Sequence, residues 1–444
     1  MRLQPIIRLV RLTAARRTAL LALTALSLGS PVAAEPPRGK EDEEEELAPA
    51  PMKLRSYDFG DMTIDGQLGV TPGGAQDIGY FRDRVSAGEV PHANTFRPEG
   101  LFSEHDLPLV EPSERCAELI CVYGAATDAV LPAQPGVAWL AQLGFTSGID
   151  AATFRRPPLN LVAVVDKSGS MSGAPIEVAK EGLLALSKNL GAEDRLTIVL
   201  YGDTTHVHLA STPGDQHQRI ARAIEAIAIA GSTNLEAGLK LGFALAHASA
   251  GAAPGLTRVM LFTDERPNVG ATDAESFMGL AQANSLAGIG LTTIGVGAQF
   301  GAELASKISS VRGGNLFFLA SKEDAIRVFG EELDTLALEL AYDMALELTP
   351  APGFRVSALY GVPGEMLEWT EGGGLRFEVA TLFASNKKGA IFAAFESAAG
   401  PGRPLPKTEL GAAVGVARLS YSLRDGRRVD AAVELPWAPP ASAP

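Results

Sequence analysis

The sequence predicts an α/β protein: a doubly wound, Rossmann-like domain over residues 159–340, inserted in or flanked by an antiparallel β-sandwich. Three observations predict it. From Leu161 to Leu340, apolar runs alternate with amphipathic stretches, as strands and helices of a largely parallel sheet do. From Ala341 the helical periodicity stops, and short alternating runs punctuated by Gly and Pro follow, the texture of antiparallel strands. The strand-like residues from Cys116 to Thr146 lie before the α/β region with no neighbours of their own, so they complete the later sheets.

The elements follow in order. Arg2, Arg8, Arg11, Arg16 and Arg17 precede an apolar run from Ala19 to Leu28 and the small residues Val32, Ala33 and Ala34, the pattern of a secretory signal peptide over residues 1–34. The run is short for a membrane span. Residues 35–55 hold six consecutive acids, Glu41 to Glu46, which repel one another and read as a solvated linker. An N-terminal segment over 56–115 has a helix at Ala75 to Ala87 as its clearest pattern. Residues 116–158 read as strands, Leu119 to Tyr123 and Val137 to Leu143, that join the sandwich.

Within the α/β domain, strands are expected at Leu161–Val165, Arg195–Tyr201, Thr205–Ala210, Arg258–Phe262, Leu291–Val296 and Asn315–Leu319. Helices are expected near 176–189, 216–228, 234–249, 273–287, 303–311 and 322–340. Six sandwich strands lie between Met344 and Leu435 within residues 341–437.

The net charge is −14, and loss of the five leader arginines gives −14 − 5 = −19. Such a chain repels phosphate backbones and anionic membranes, which argues against nucleic acid as a partner. No later stretch is long and apolar enough to span a bilayer, so the mature chain is expected to be soluble and exported, periplasmic or at the cell surface. Two cysteines, Cys116 and Cys121, permit one disulfide in that compartment. Residues five apart on a regular strand point to opposite faces, so pairing requires a turn between them.

Ligands of such sheets bind at the carboxyl ends of the strands. There, Asp166-Lys167-Ser168-Gly169-Ser170 sets one carboxylate and two hydroxyls on one loop. Gly231-Ser232-Thr233-Asn234 offers a hydroxyl at a helix start, and Phe262-Thr263-Asp264 ends the next buried strand with a second carboxylate. Hard oxygens of this kind suit Mg²⁺ first, with Mn²⁺ or Ca²⁺ as alternatives.

These three loops resemble the von Willebrand factor type A (VWA) family and its metal-ion-dependent adhesion site (MIDAS). The resemblance covers about Asn160 to Leu340. It implies that Asp166, Ser168, Ser170, Thr233 and Asp264 hold a divalent cation, directly or through water. It further implies a protein partner whose acidic residue completes the coordination. The wider arrangement, with Ala93-Asn94-Thr95-Phe96 before the domain, is similar to a bacterial exported subfamily labelled YfbK-like. Many relatives have Gly after the last aspartate. Here Glu265 stands there, either adding negative charge beside the metal or pairing with Arg266. Lys167 is expected to point away from the site into solvated packing.

Other chemistries fit less well. Gly295-Val296-Gly297-Ala298-Gln299-Phe300-Gly301 mimics a dinucleotide fingerprint but comes late in the sheet, with no acid ending the next strand. A serine-hydrolase elbow needs Gly-x-Ser-x-Gly, and Gly169 to Gly173 has Met171 at its centre. His206 and His208 lack a third histidine nearby and read as partly exposed strand residues. The expected function is therefore binding, not catalysis: metal-dependent protein–protein interaction in adhesion or assembly. A soluble regulatory subunit of a membrane transport or channel complex is the alternative, and a hydrolase is third.

Overall fold

The two textures of the sequence become two sheets. The computed structural model describes residues 66–438 apart from 108–114, 130, 132–133, 135, 138, 251–254, 265–273, 298–306, 308–309, 401–402 and 404–410. The expected leader, the acidic linker, Glu265 and most of the helix expected near 303–311 lie outside the described residues.

The parallel sheet is built on β5 (Leu159–Asp166), β6 (Arg195–Tyr201), β8 (Leu256–Thr263), β9 (Ile289–Val296) and β10 (Gly314–Leu319), with β7 (His206–Pro213) antiparallel at one edge. Beyond a short edge strand β2 (Gly74–Ala75) beside β10, its order is β10-β9-β8-β5-β6-β7, so β5 is flanked by β6 and β8. Successive side chains of a strand face opposite sides. Leu161, Ala163 and Val165 pack with α3 (Ala174–Lys188), α4 (His217–Glu225) and α7 (Lys322–Glu331). Val162 and Val164 pack with α5 (Leu235–Ala250) and α6 (Ala274–Leu286) on the other face. The doubly wound arrangement expected from the sequence is thus present.

The second sheet has ten strands among the described residues, all its ladders antiparallel. It contains β1 (Gln67–Pro72), β3 (Ile120–Asp128), β4 (Trp139–Asp150), β11 (Glu339–Pro350) and β12 (Phe354–Tyr360). It is completed by β13 (Glu368–Trp369), β14 (Leu375–Ser385), β15 (Gly389–Ser397), β16 (Ala413–Ser422) and β17 (Arg428–Pro436). The sequence predicts an antiparallel β-sandwich over these strands. The structure instead shows one continuous hydrogen-bonded sheet, because β1 pairs with β4 on one side and β14 on the other. The sheet curls so that β3 meets β17: Trp437 bridges Ala126, and the Tyr421 hydroxyl donates to the Ile120 carbonyl at 3.4 Å. One apolar core fills the curl, with Leu143, Leu346, Phe377 and Phe395 fully buried.

Three further expectations are corrected. The closing helix at 322–340 stops early: α7 ends at Glu331, α8 (Leu333–Leu336) follows, and Glu339, already in β11, pairs with Phe383 of β14. The helix expected from Ala75 begins only at α1 (Gly79–Ser86), since Ala75 belongs to β2 (Gly74–Ala75), and a short helix α2 (Pro98–Ser103) follows. The N-terminal segment was expected to hold little besides that helix, yet it contributes a strand to each sheet: β1 to the antiparallel one and β2, beside β10, to the parallel one. Gly-Val-Thr-Pro reads as a loop in isolation, and only two neighbouring ladders make it a strand. Cys116 and Cys121 form a disulfide with a Cα–Cα distance of 5.8 Å, Cys116 lying just before β3.

A buried cation seals the seam between the sheets. Arg258 on β8 donates to Glu339 on β11 at 2.8 Å, Thr292 at 2.6 Å and Asn315 at 3.0 Å, and its guanidinium lies 5.0 Å from the Phe383 ring centroid. The Tyr342 hydroxyl donates to the other Glu339 oxygen at 2.6 Å. Gly290 makes room: a Cβ there would sit 2.2 Å from both Arg258 Nη1 and Glu339 Oε1. Removing one member of a buried pair strands the other. Glu339→Ala should therefore cost about 3–5 kcal/mol in urea unfolding. A loss below about 1 kcal/mol would show that the seam does not depend on the pair.

Asp77 ties the N-terminal segment to β10. Its Oδ1 accepts from the Gly79 amide at 2.7 Å and its Oδ2 from the Phe318 amide at 2.9 Å. Burial pushes its carboxyl up to about 7, against the pull of those two amides and with Glu104 adding to the rise. The folded chain then holds a proton that the unfolded chain releases near pH 4, so stability falls as pH rises from there through 7. Urea unfolding from pH 5 to pH 8 should show this fall, on the order of 2 kcal/mol, and Asp77→Asn should flatten it. Equal slopes in both proteins would assign the titration to another group.

Candidate functional site

Register assembles the site. Along the carboxyl ends of three neighbouring strands, Tyr201 pairs with Asp166, and Thr263 directly follows Phe262, which the ladder matches with Val165. Tyr201, Asp166 and Thr263 thus form one row on the face covered by α5. The Tyr201 hydroxyl donates to Asp166 Oδ2 at 3.0 Å, and the Thr263 hydroxyl donates to the same oxygen at 3.1 Å. The Ser168 amide donates to Asp166 Oδ1 at 2.9 Å. Burial raises the Asp166 carboxyl, and the donors from Ser168, Tyr201 and Thr263 oppose that rise. None of those donors is a cation. Tyr201 is raised well above the usual phenol value, by burial first and by Asp166 second.

The hydroxyls follow on the same loop. Ser168 Oγ and Ser170 Oγ are 3.0 Å apart, and the Ser170 hydroxyl donates to Asp264 Oδ1 at 2.9 Å. A short 3-10 turn at Gly169–Met171 makes these side chains converge. Met171 is buried in the core, so the loop has an apolar anchor where a hydrolase elbow would have its serine. The second loop docks through its backbone: the Gly169 amide donates to the Gly231 carbonyl at 3.1 Å, and the Ala230 amide to the Lys167 carbonyl at 2.7 Å. Thr233, two residues beyond Gly231, is buried. Gly231 has φ +92, and a Cβ on it would lie 2.6 Å from Asp203. Both conditions call for glycine there.

The structure therefore brings Ser168, Ser170 and Asp264 into one hydrogen-bonded chain beside Asp166, and sets the loop of Thr233 against theirs. Lys167 departs from expectation. It is buried rather than solvated, with Nζ 3.4 Å from Thr204 Oγ1, because its stem is covered by the loops at Gly202 and Ala230. His208 Nε2 lies 2.8 Å from the Ala223 carbonyl, away from this cluster. Gly297, at the head of the glycine-rich stretch, has φ +76, and a Cβ on it would lie 2.8 Å from Pro175, while Ala298 to Gly301 lie outside the described residues. Two contributors were missed from the sequence, Tyr201 and Thr263. Each is a plain strand residue there, and the only available signal was its place at the last position of a strand.

The donor set suits a hard divalent cation: two carboxylates and three hydroxyls, with no imidazole or thiolate among them. Among the described residues no three His, Cys, Asp or Glu side chains converge, so the cluster is distinguished by its hydroxyls.

The class defined by this fold and strand-end cluster is a doubly wound domain carried on a β-sheet frame. The family model for the von Willebrand factor type A domain matches residues 160–331, so this stretch of the chain is a VWA domain. The chain is 31% identical over 200 residues to the uncharacterized protein YfbK of Escherichia coli (strain K12), a match covering 44% of this chain and 34% of that one. It is 29% identical over 199 residues to the uncharacterized protein sll0103 of Synechocystis sp., covering 44% and 46% respectively. The chain thus spans between a third and a half of the length of these relatives. A solved von Willebrand factor type A structure from Catenulispora acidiphila aligns over 74% of this chain and 76% of its own, with 14% identity and a TM-score of 0.44.

The Tyr201 ring also wedges against α5, whose start follows Thr233. Gly238 permits this, since a Cβ there would lie 2.8 Å from ring atoms. Gly238→Ala should lower stability by about 1–3 kcal/mol through overpacking, despite alanine's better helix propensity. A rise in the urea midpoint would show that the helix has room to spare.

Proposed function

We propose that Asp166, Ser168, Ser170, Thr233 and Asp264 form a MIDAS that binds a divalent cation, Mg²⁺ before Mn²⁺ or Ca²⁺, and that the cation docks a partner protein. The observation that carries this reading is the meeting of two buried carboxylates with a chain of hydroxyls at one strand edge. Such a cluster costs desolvation, and a cation offsets it. VWA domains often bind divalent cations and mediate protein interactions. Neutral hydroxyls and at most two carboxylates leave a divalent ion able to accept another anionic ligand, here an acidic side chain of the partner. We read the protein as a binding module rather than an enzyme, acting outside the cytoplasm after export. Among the described residues no helix is long and apolar enough to cross a membrane.

A ligand that binds only the native state stabilises it by mass action, by about 2.7 kcal/mol at a hundred times its dissociation constant. Mg²⁺ or Mn²⁺ should raise the melting temperature above that in EDTA, and Asp166→Ala should abolish the shift. A shift that survives in that variant places the metal elsewhere. Pull-downs in Mg²⁺ and in EDTA test the partner. EDTA-sensitive capture supports cation-mediated docking, whereas EDTA-insensitive association with a membrane complex supports the regulatory-subunit alternative.

A further inference from the structure

The row Tyr201–Asp166–Thr263 has a consequence for which metal the site takes. A carboxylate oxygen has two lone pairs. On Asp166, Oδ2 receives two hydroxyl donors, Tyr201 at 3.0 Å and Thr263 at 3.1 Å. That oxygen is saturated, and both donors are buried on strands, where they cannot swing away without losing their packing. Oδ1 receives the Ser168 amide at 2.9 Å and lies on the side of the serine loop. The Ser168 side chain also hydrogen-bonds this carboxylate, and it sits on the loop rather than on a strand, so Oδ1 is the oxygen left to face a cation or a water bound to it. Mg²⁺ and Mn²⁺ accept single carboxylate oxygens in octahedral arrangements, while Ca²⁺ takes more ligands and commonly both oxygens of one carboxylate.

We propose that Tyr201, assisted by Thr263, is a specificity-determining residue of this site: by occupying Asp166 Oδ2 it confines the carboxylate to one-oxygen donation and favours Mg²⁺ or Mn²⁺ over Ca²⁺. This rests on the cation-binding reading above. Tyr201 touches Asp166 and not the ion, so it acts by positioning. Removing a partner that orients a metal ligand typically changes affinity 10–100-fold.

The test is isothermal titration of the full chain, stripped with EDTA, using Mn²⁺ alone and Ca²⁺ alone. The wild type should bind Mn²⁺ more tightly than Ca²⁺. Tyr201→Phe keeps the ring and removes only the hydroxyl. It should narrow the Mn²⁺/Ca²⁺ affinity ratio about 10-fold, with an unchanged circular dichroism spectrum in EDTA. Thr263→Val removes the other donor to the same oxygen and should shift the ratio in the same direction. It carries the test if Tyr201→Phe fails to fold. Both metals weakened equally in the variants would mean a structural role only, and an unchanged ratio would mean none. Either result overturns the proposal while leaving the cation site standing, provided Asp166→Ala still abolishes binding. No Mn²⁺ binding by the wild type would overturn both.

Discussion

The site depends on the register of β5 between β6 and β8. A carboxylate at the end of a fully buried strand is costly unless donors meet it. Here the ladders deliver Tyr201 from one neighbour and Thr263 from the other to the same oxygen. A slip of one residue in either ladder would turn that hydroxyl to the opposite face, where α3 and α4 pack apolar side chains. The apolar alternation along the three strands therefore fixes the electrostatics at their ends. Val162 and Val164 face α5, and Asp166 follows in the same phase.

The antiparallel sheet does more than flank this domain. The chain enters the α/β unit from β4 and leaves it into β11, and both strands belong to the same curled sheet. The N-terminal segment crosses between the sheets within a few residues, from β1 to β2, with the Gly73 amide donating to the Thr381 carbonyl at 2.8 Å. Arg258 reaches the seam from β8, the strand that ends at Thr263 and precedes Asp264. The strand that supplies the second carboxylate is thus anchored at its other end by a buried ion pair to the frame.

Much of this architecture is legible in the sequence, for a physical reason. Residues 161–165 can only be a buried strand, and Asp-x-Ser-x-Ser after such a strand places its oxygens on one loop whatever the rest of the fold does. Boundaries failed where tertiary pairing overrode local pattern. Glu339 and Leu340 continue a helical periodicity, yet the ladder to β14 and the charge of Arg258 draw them into a strand. The six residues Gln67–Pro72 contain Gly and Pro and form a strand only because ladders wait on both sides.

The sequence by itself determined the fold class, the alternation of strands and helices within the α/β region, and the oxygen-bearing loops, because periodicity and loop chemistry are local. It left open which hydroxyls face Asp166, how its two oxygens are shared, whether Lys167 is exposed, and how the two sheets are joined. Those depend on which strands become neighbours and in what register, and residues 35 to 97 positions apart in the chain, such as Tyr201 and Thr263 relative to Asp166, meet only after that choice is made.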